Sequence, residues 1–416
     1  MKPFRLALLV ALSSVGIASA QEEERRAPPV EIPDFSNLDE YIYEPKSTVR
    51  FGFRHLSGAK ASFSGRGSLL APDKPGAATG ANLDRSYHNG GVRPDARVVA
   101  RLDSGGNPII DPQTNGQVFD AIAPDGKTNI WNYSDASQLA LLGYVAFHSY
   151  SAEITDSALR KKDTASSSGM DISMSRDMGK LWGGRLPWNL TAGMSINDIS
   201  ANTADRVAAR LTTVSDYYSL YGVTPADAPY SSPSSATTSV VDANGNAVLN
   251  DDGTARTVTT DTSVLISNEP AGRTTTLTND NTSVSNRWKV KGAYYTFRAG
   301  PTVWLPISTR LRASVSVGAA IVYSGSTYTV TQTFDTPLGA DISDTNFNAA
   351  SKLLPGYYAD ATIQFDLTER AGLYAGAVFQ SAGSYTQNID TATNHYSTKI
   401  DLANQNGVRA GLSIRF

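Results

Sequence analysis

The sequence has 416 residues, with 36 Lys and Arg against 39 Asp and Glu and a formal net charge of −3. This mild acidity argues against a nucleic-acid partner. The chain contains no cysteine, which excludes a disulfide framework and a lipid-modified cysteine anchor. Glycine (34) and tyrosine (19) are abundant, as expected of a protein rich in turns and strands.

Residues 1–20 have the features of a secretory signal peptide. A basic start precedes an apolar run, and small residues ending at Ala20 form a cleavage site. Cleavage there leaves Gln21 first, with 34 basic and 39 acidic residues and a net charge of −5. Residues 21–47 are acidic and then proline-rich, without periodicity, and are predicted to form a periplasmic lead-in. Residues 48–416 remain for the folded domain.

This remainder is dominated by segments in which apolar and polar residues alternate with period two, the pattern of a strand with one apolar face. Several exceed the five or six residues usual in globular strands, and their length fits a tilted membrane-spanning strand. Beyond the signal peptide there is no apolar run of about 18 residues, so a spanning helix is not expected. The predicted strands are Thr48–Leu56, Gln138–Ala152, Ser168–Met178, Trp188–Ile196, Lys289–Leu305, Arg310–Tyr323, Lys352–Leu367, Ala371–Gln387 and the last ten residues.

The connections between these strands fall into two classes. Residues 179–185, 306–310 and 368–370 are short and each ends in Arg, whereas residues 57–138, 200–287, 331–351 and 388–405 are long and polar. Membrane barrels have short periplasmic turns and long extracellular loops. The sequence therefore predicts that the long loops 57–138 and 200–287 face outward.

The last ten residues alternate strictly and end on an aromatic residue. They carry a polar–x–Gly–x–x–apolar–x–aromatic pattern, in which Arg409, Gly411, Ile414 and Phe416 fill the four places. This pattern resembles the terminal assembly signal of bacterial outer-membrane β-barrel proteins, including small OmpA-like and porin-like barrels. The resemblance implies a Gram-negative outer-membrane location, lipid contact and handling by the barrel-assembly machinery.

The number of strands is set by parity. If Phe416 ends in the periplasm, the eight strands from residue 139 onward can form a closed barrel by themselves. Adding Thr48–Leu56 gives nine strands, whereas bacterial outer-membrane barrels have an even number. A further strand within 57–138, with Ala96–Asp103 as the best candidate, would restore an even number. Alternatively, Thr48–Leu56 is not transmembrane, or Arg206–Leu220 is a strand. The predicted fold is an all-β, up-and-down antiparallel barrel of about ten strands, with eight or twelve as alternatives.

The polar strand faces must point into the barrel, and they carry charges of both signs. A barrel this narrow has room for side chains only, so mixed charges predict a lumen filled by ion pairs rather than an open pore. The predicted lumen charges are Arg50, Arg54, Asp171, Asp177, Arg298, Arg312, Asp360, Asp366, Arg409 and Arg415.

The sequence offers little sign of a catalytic, metal or cofactor site. Outer-membrane lipid hydrolases use a His with a Ser two positions later, but His148 is followed at that position by Tyr150. Histidines at metal-ligand spacing are lacking. Residues 242–253 begin like a calcium loop, yet they lack its glycine and its final glutamate.

The functional expectation is a monomeric barrel without catalytic activity or cofactor. Its role is structural or surface interaction with an extracellular ligand or protein through the long loops. The alternative is a narrow porin-like channel for small solutes or ions, and a weaker alternative is an outer-membrane enzyme.

Overall fold

The computed structural model describes residues 46–70, 75–139, 141–244, 246–279, 282–338 and 341–416. The predicted signal peptide and nearly all of the lead-in lie outside these residues. In the described part, no helix is long and apolar enough to cross a membrane. A short 3-10 helix at Ala136–Leu139 accompanies the strands β1 (Ser47–Ser57), β2 (Lys60–Leu69), β3 (Arg85–Tyr87), β4 (Gly90–Val92), β5 (Val98–Ala100), β6 (Phe119–Ala121), β7 (Lys127–Thr128), β8 (Trp131–Tyr133), β9 (Tyr144–Ile154), β10 (Arg160–Asp163), β11 (Ser167–Leu181), β12 (Leu186–Ser219), β13 (Tyr230–Ser232), β14 (Ser235–Ser239), β15 (Thr257–Asp261), β16 (Ile266–Ser267), β17 (Gly272–Thr278), β18 (Ser283–Pro306), β19 (Leu311–Phe334), β20 (Ile342–Asp366), β21 (Ala371–Ser381), β22 (Ser384–Asp390), β23 (Asn394–Asp401) and β24 (Gln405–Arg415).

Eight of the described strands close into an antiparallel ring. The order around it is β1, β11, β12, β18, β19, β20, β21, β24 and back to β1. The ring therefore agrees with the alternative of eight strands and not with the favoured count of about ten. Thr48–Leu56 belongs to the ring as part of β1, whereas most of Gln138–Ala152 forms β9, which pairs with the far half of β12 outside the ring. Of Ala96–Asp103, only the short β5 is a strand, and it pairs with β6.

The short connections all lie at one end of the ring, which we call the short-turn end. Turns at 182–185, 307–310 and 367–370 join neighbouring ring strands directly. At the same end the backbones of Ser47 and Phe416 exchange two hydrogen bonds, at 3.0 and 3.1 Å, which join the first and last ring strands.

Along each long strand the polarity of the two faces reverses, as β18 illustrates. Near the short-turn end its outward face carries apolar residues such as Phe297 and Val303, while Arg298 points inward and is buried. Further along, Lys289 is outward and Val290 is buried inside. An apolar exterior around a polar interior is the arrangement of a membrane barrel. The reversal marks the edge of the lipid-facing band that is farther from the short-turn end, which we call the upper edge.

Above this edge the strands continue and enclose an apolar core. β12, β19 and β20 run well into the segments predicted to be loops. Strands β9, β2, β23 and β22 complete the enclosure, with β2 pairing with β9, β10 and β23. Phe63, Trp288, Tyr328 and Val330 are among the fully buried residues between these layers. This upper part is built like a water-soluble β-protein.

A second apolar cluster packs the two longest connections against β9 and β12, and it forms what we call the cap. A four-stranded sheet of β3, β4, β8 and β13 combines pieces of both connections. Trp131, Tyr133, Phe147 and Tyr218 are buried there, and the indole of Trp131 donates a hydrogen bond to the Val264 carbonyl at 2.7 Å. The long connections are thus packed together into one folded unit.

Candidate functional site

The interior of the ring is filled by a polar network centred on two ion pairs. Arg298 Nη2 donates to both carboxylate oxygens of Asp171, at 2.7 and 2.8 Å. Arg409 Nη2 donates to Asp360 at 2.6 Å and to the Thr362 hydroxyl at 2.9 Å. Arg409 Nη1 also lies 3.9 Å from Asp171, so one carboxylate links the two pairs.

Among the described residues, two further interior arginines form hydrogen bonds with neutral partners only. Arg54 donates to the Ser195 hydroxyl at 2.7 Å and to the Gln380 side chain at 2.5 Å. Arg50 donates to Gln364 at 3.3 Å, and its guanidinium lies 4.7 Å from the centre of the Trp304 ring. Among the described residues, the buried interior of the ring therefore holds four arginines against two aspartates. It has a surplus of positive charge, as does the predicted lumen set of six arginines and four aspartates.

Two glycines allow the interior to pack this tightly. Gly52 and Gly411 face each other on β1 and β24, and Gly411 also faces Tyr374 on β21. A Cβ on Gly52 would clash with the Ala410 carbonyl oxygen and the Tyr374 hydroxyl. The space they leave admits the Tyr374 ring, whose centre lies 5.7 Å from both the Arg50 and the Arg409 guanidinium.

A second charge cluster lies at the short-turn end. Asp366 lies 3.1 Å from Arg312 and 2.5 Å from Arg415, and it accepts a hydrogen bond from Gln364 at 2.9 Å. The remaining residue of the predicted set, Asp177, is exposed and accepts a hydrogen bond from the Gly179 backbone. Asp177 pairs in register with Asn189 and lies on the same face of β11 as the buried Asp171. It is next to the short-turn end, where its side chain is exposed to solvent, so it is not part of the buried interior network.

The four residues of the terminal signal divide between the two faces of β24. Arg409 is buried in the interior network, and Gly411 packs against the β1 backbone. Ile414 and Phe416 are about half exposed on the outward face. The signal therefore includes a residue of the charge network as well as two lipid-facing positions.

The cap contains a buried polar network that periodicity could not indicate. The Tyr87 hydroxyl donates to Asp216 at 2.5 Å and lies 2.9 Å from the Tyr218 hydroxyl. Arg273 pairs with Asp216 through two hydrogen bonds, at 2.6 and 2.7 Å. Burial raises the pKa of Tyr218 to about 12 and raises the pKa of Tyr87 further. Both tyrosines stay neutral, and the contacts of Tyr87 with Asp216 and Tyr218 tie β3 of the cap to β12.

Two of the histidines face serines across neighbouring strands. His148 Nδ1 lies 2.7 Å from Ser215 Oγ, between β9 and β12. His55 Nδ1 lies 3.0 Å from Ser168 Oγ, between β1 and β11. A His–Ser search at a spacing of two residues misses both contacts, because the partners are far apart in sequence. No group of three metal-ligating side chains occurs in the described ranges.

The cap also bears two projecting arms with one backbone pattern. Arm 1 (residues 97–122) and arm 2 (residues 234–262) each fold into three short antiparallel segments. In arm 1, Asp103 accepts backbone hydrogen bonds from residues 105 and 107, and in arm 2 Asp242 accepts them from residues 244 and 246. Asp242 therefore caps its own turn, which accounts for the calcium-like start of this loop.

The comparisons with known proteins show similarity to solved outer-membrane proteins. No protein-family model and no curated protein matches the sequence. Similar structures include the outer membrane protease OmpT from Escherichia coli, at 9% identity and TM-score 0.27, covering 89% of this chain and 97% of that chain. A Pseudomonas aeruginosa FadL homologue is similar at 8% identity and TM-score 0.16, covering 89% and 90%. OmpT, an outer membrane protein of Vibrio cholerae, is similar at 6% identity and TM-score 0.11, covering 90% and 99%.

The ring itself, with exposed apolar residues outside and buried charges inside, resembles outer-membrane β-barrel proteins in architecture. One expectation from the sequence has to be corrected. The chain was expected to lack catalytic activity, whereas the first of these similar structures is a protease. That expectation is withdrawn. At such low identity and TM-score, the comparison assigns no activity to this chain.

Proposed function

We propose that this protein is an outer-membrane barrel with a filled lumen that presents the cap and its two arms at the cell surface for interaction with an extracellular ligand or protein. The signal peptide would be removed after Ala20, the barrel-assembly machinery would insert the chain as a monomer, and lipid would cover the apolar band. Support for insertion comes from the exposed apolar exterior around buried interior charges.

The observation that carries the surface role is the pair of matching arms. Arm 1 has one face formed by alternate residues of all three segments, and Val98, Leu102, Ile110 and Phe119 on it are each about half exposed. Exposed apolar groups clustered on an ordered element are typical of interaction sites. The same pattern in arm 2 exposes Val241 and Leu249, so the arrangement occurs twice on one surface.

Deletion of the arms tests this role. Residues 97 and 122, and likewise 234 and 262, are joined by backbone hydrogen bonds. Each arm can therefore be replaced at its base by a two-residue Asn-Gly turn, which suits a hairpin. Cells displaying the full-length protein should autoaggregate or adhere to immobilised host-surface protein, and each deletion should reduce this. Equal adhesion by cells with properly folded double-deletion protein would contradict the proposal.

The positive surplus of the interior favours a second candidate function, a narrow anion pathway. Arg50 and Arg54 lack a carboxylate within ion-pair distance in the described structure. A cationic pore would select anions by charge. Planar-bilayer recording separates the candidates: a filled lumen is silent, whereas a pathway gives steady, anion-selective conductance.

A further inference from the structure

His55 and Ser168 form a polar pair on the outside of the ring. They are opposite each other on β1 and β11, and both side chains are exposed with His55 Nδ1 3.0 Å from Ser168 Oγ. A neutral imidazole at this distance can accept the hydroxyl proton, and a serine whose proton is taken up is a nucleophile for acyl groups. The pair therefore has the first requirement of a hydrolytic site.

The pair lies where the lipid-facing band ends. On β24, the exposed Val408 lies level with the pair, opposite His55. Directly below the pair on β1 and β11 the outward residues are Phe53 and Met170, both exposed. Directly above it the outward residues become polar, including Ser57 and Asn406, which are in contact through their side chains at 3.3 Å. Membrane lipids carry their ester groups at this depth, between the acyl chains and the head groups.

An apolar groove extends from the pair across the lipid-facing surface. Its volume is about 890 Å³, and both His55 and Ser168 line it. Phe53 and Leu373 form part of its walls, and the small outward residues Ala375 and Ala410 lie between them. The volume falls in the range of small-molecule sites, about 300–1,000 Å³. Because the groove faces lipid and its lining is mainly apolar, an acyl chain is the occupant that its chemistry suits.

We propose that Ser168 and His55 form an ester-hydrolysing site for lipids, with the substrate acyl chain in this groove. Ser168 Oγ bonds to the ester carbonyl carbon while its proton passes to His55 Nδ1. The bond from the carbonyl carbon to the alcohol oxygen then breaks, and the alcohol leaves with that proton. Water attacks the acyl-serine in the same manner, again through His55, and releases a fatty acid and the free serine.

The other His–Ser contact provides a matched control. His148 and Ser215 are closer, at 2.7 Å, but Ser215 is buried within the upper part of the protein. The groove includes neither of these residues. Ser215→Ala therefore removes the same type of contact without touching the proposed site.

The test uses the full-length protein refolded in detergent micelles with p-nitrophenyl palmitate as substrate. We expect hydrolysis by the unaltered protein, a loss of at least about 100-fold in Ser168→Ala and His55→Ala, and no loss in Ser215→Ala. A fluorophosphonate probe should label the unaltered protein at Ser168, as identified by peptide mass spectrometry, and His55→Ala should abolish the labelling.

Labelling of Ser168 in the unaltered protein does not depend on whether any variant folds. Absence of hydrolysis and labelling in the unaltered protein would overturn the proposal. Equal hydrolysis by folded Ser168→Ala, or an equal loss in Ser215→Ala, would also overturn it. The site does not depend on the arms, so the arm-deletion proteins should retain hydrolysis whatever their adhesion.

Discussion

Replacing Asp171 by Asn tests whether the interior ion pairs stabilise the barrel. Asn has nearly the same size, so the change leaves no cavity, and its amide oxygen can still accept one hydrogen bond. What disappears is the charge that faces Arg298 at 2.7 Å and Arg409 at 3.9 Å. Among the described residues, Asp360 would then be the one buried carboxylate left in the ring interior, against four buried arginines there.

The magnitude follows from the burial of the pair. The side chains of Asp171 and Arg298 are each 1% exposed, so water can hardly screen the charge left behind. Breaking a buried pair on one side costs about 3–5 kcal/mol. The hydrogen bond that Asn retains offsets about 1 kcal/mol of this. We therefore expect Asp171→Asn to lower the free energy of unfolding by about 2–4 kcal/mol.

Two other aspartates serve as controls of decreasing burial. Asp366 is 12% exposed beside two partly exposed arginines, so Asp366→Asn should cost about 1–2 kcal/mol, between the buried and the surface cases. Asp177 is exposed, and Asp177→Asn should change stability by less than about 0.5 kcal/mol. Urea unfolding in lipid vesicles, followed by tryptophan fluorescence, measures all three.

The double variant Asp171→Asn/Arg298→Gln should recover part of the loss, because it removes the stranded charge. Two results would refute the role assigned to the interior network. One is an equal loss of unfolding free energy in Asp171→Asn and Asp177→Asn. The other is a loss in the double variant that exceeds the sum of the losses in the two single variants.

Three further predictions concern the ends and the cap of the barrel. Deleting Phe416 should reduce the folded, protease-resistant protein in the outer membrane, since it removes the backbone contacts with Ser47 at the closing seam; normal levels would contradict this role. Burial lowers the pKa of His148 below 6.5, so the unfolded cap binds a proton that the folded cap does not. Cap stability should be complete above pH 6.5 and fall as the pH drops from there toward the folded pKa, and near-ultraviolet circular dichroism should show that His148→Gln removes this slope. Protease added to intact cells should cut within 57–138 or 200–287 first, and cleavage from the periplasm alone would show that the orientation is reversed.

The lipid-facing half of the structure could be predicted from the sequence because its strands alternate strictly. On β19, for example, Val315 and Val317 are exposed outside while Ser314 and Ser316 are buried inside. The same alternation put Arg312 and Asp366 on one face near one end, where the structure has them 3.1 Å apart. Alternation fixes the face of a residue, but it does not show which charges share a partner.

The strand count could not be predicted because two kinds of strand have similar sequence patterns. The sequence predicts a membrane strand at Gln138–Ala152, which includes most of β9, although both faces of this segment are rather apolar. In the structure Val145, Ala146 and Phe147 are all buried, so both faces of β9 pack against protein. A strand between lipid and a polar lumen has one apolar face only, and this difference is the signal that distinguishes the two kinds.

The predicted strands stop short of the upper halves of the observed strands for a related reason. On β19, Thr329 and Thr331 face outward while Tyr328 and Val330 are buried inside. The alternation continues there, but the apolar residues have changed faces. A local sequence pattern does not show why the apolar face changes sides. The residues that cover the inward apolar face come from β2, β22 and β23, which are distant in the sequence.

Cysteine scanning along β18 tests where the apolar residues change from the outer to the inner face. It thereby also tests whether the part of the ring near the short-turn end lies in the membrane. The chain has no cysteine, so each single-cysteine variant is free of background. In lipid nanodiscs, where both membrane faces are accessible, Lys289→Cys and Lys291→Cys should react fully with a membrane-impermeant maleimide. Phe297→Cys and Val303→Cys should stay unlabelled until the protein is denatured. Equal labelling of all four folded variants would contradict a membrane-spanning barrel whose lipid-facing band ends at this level.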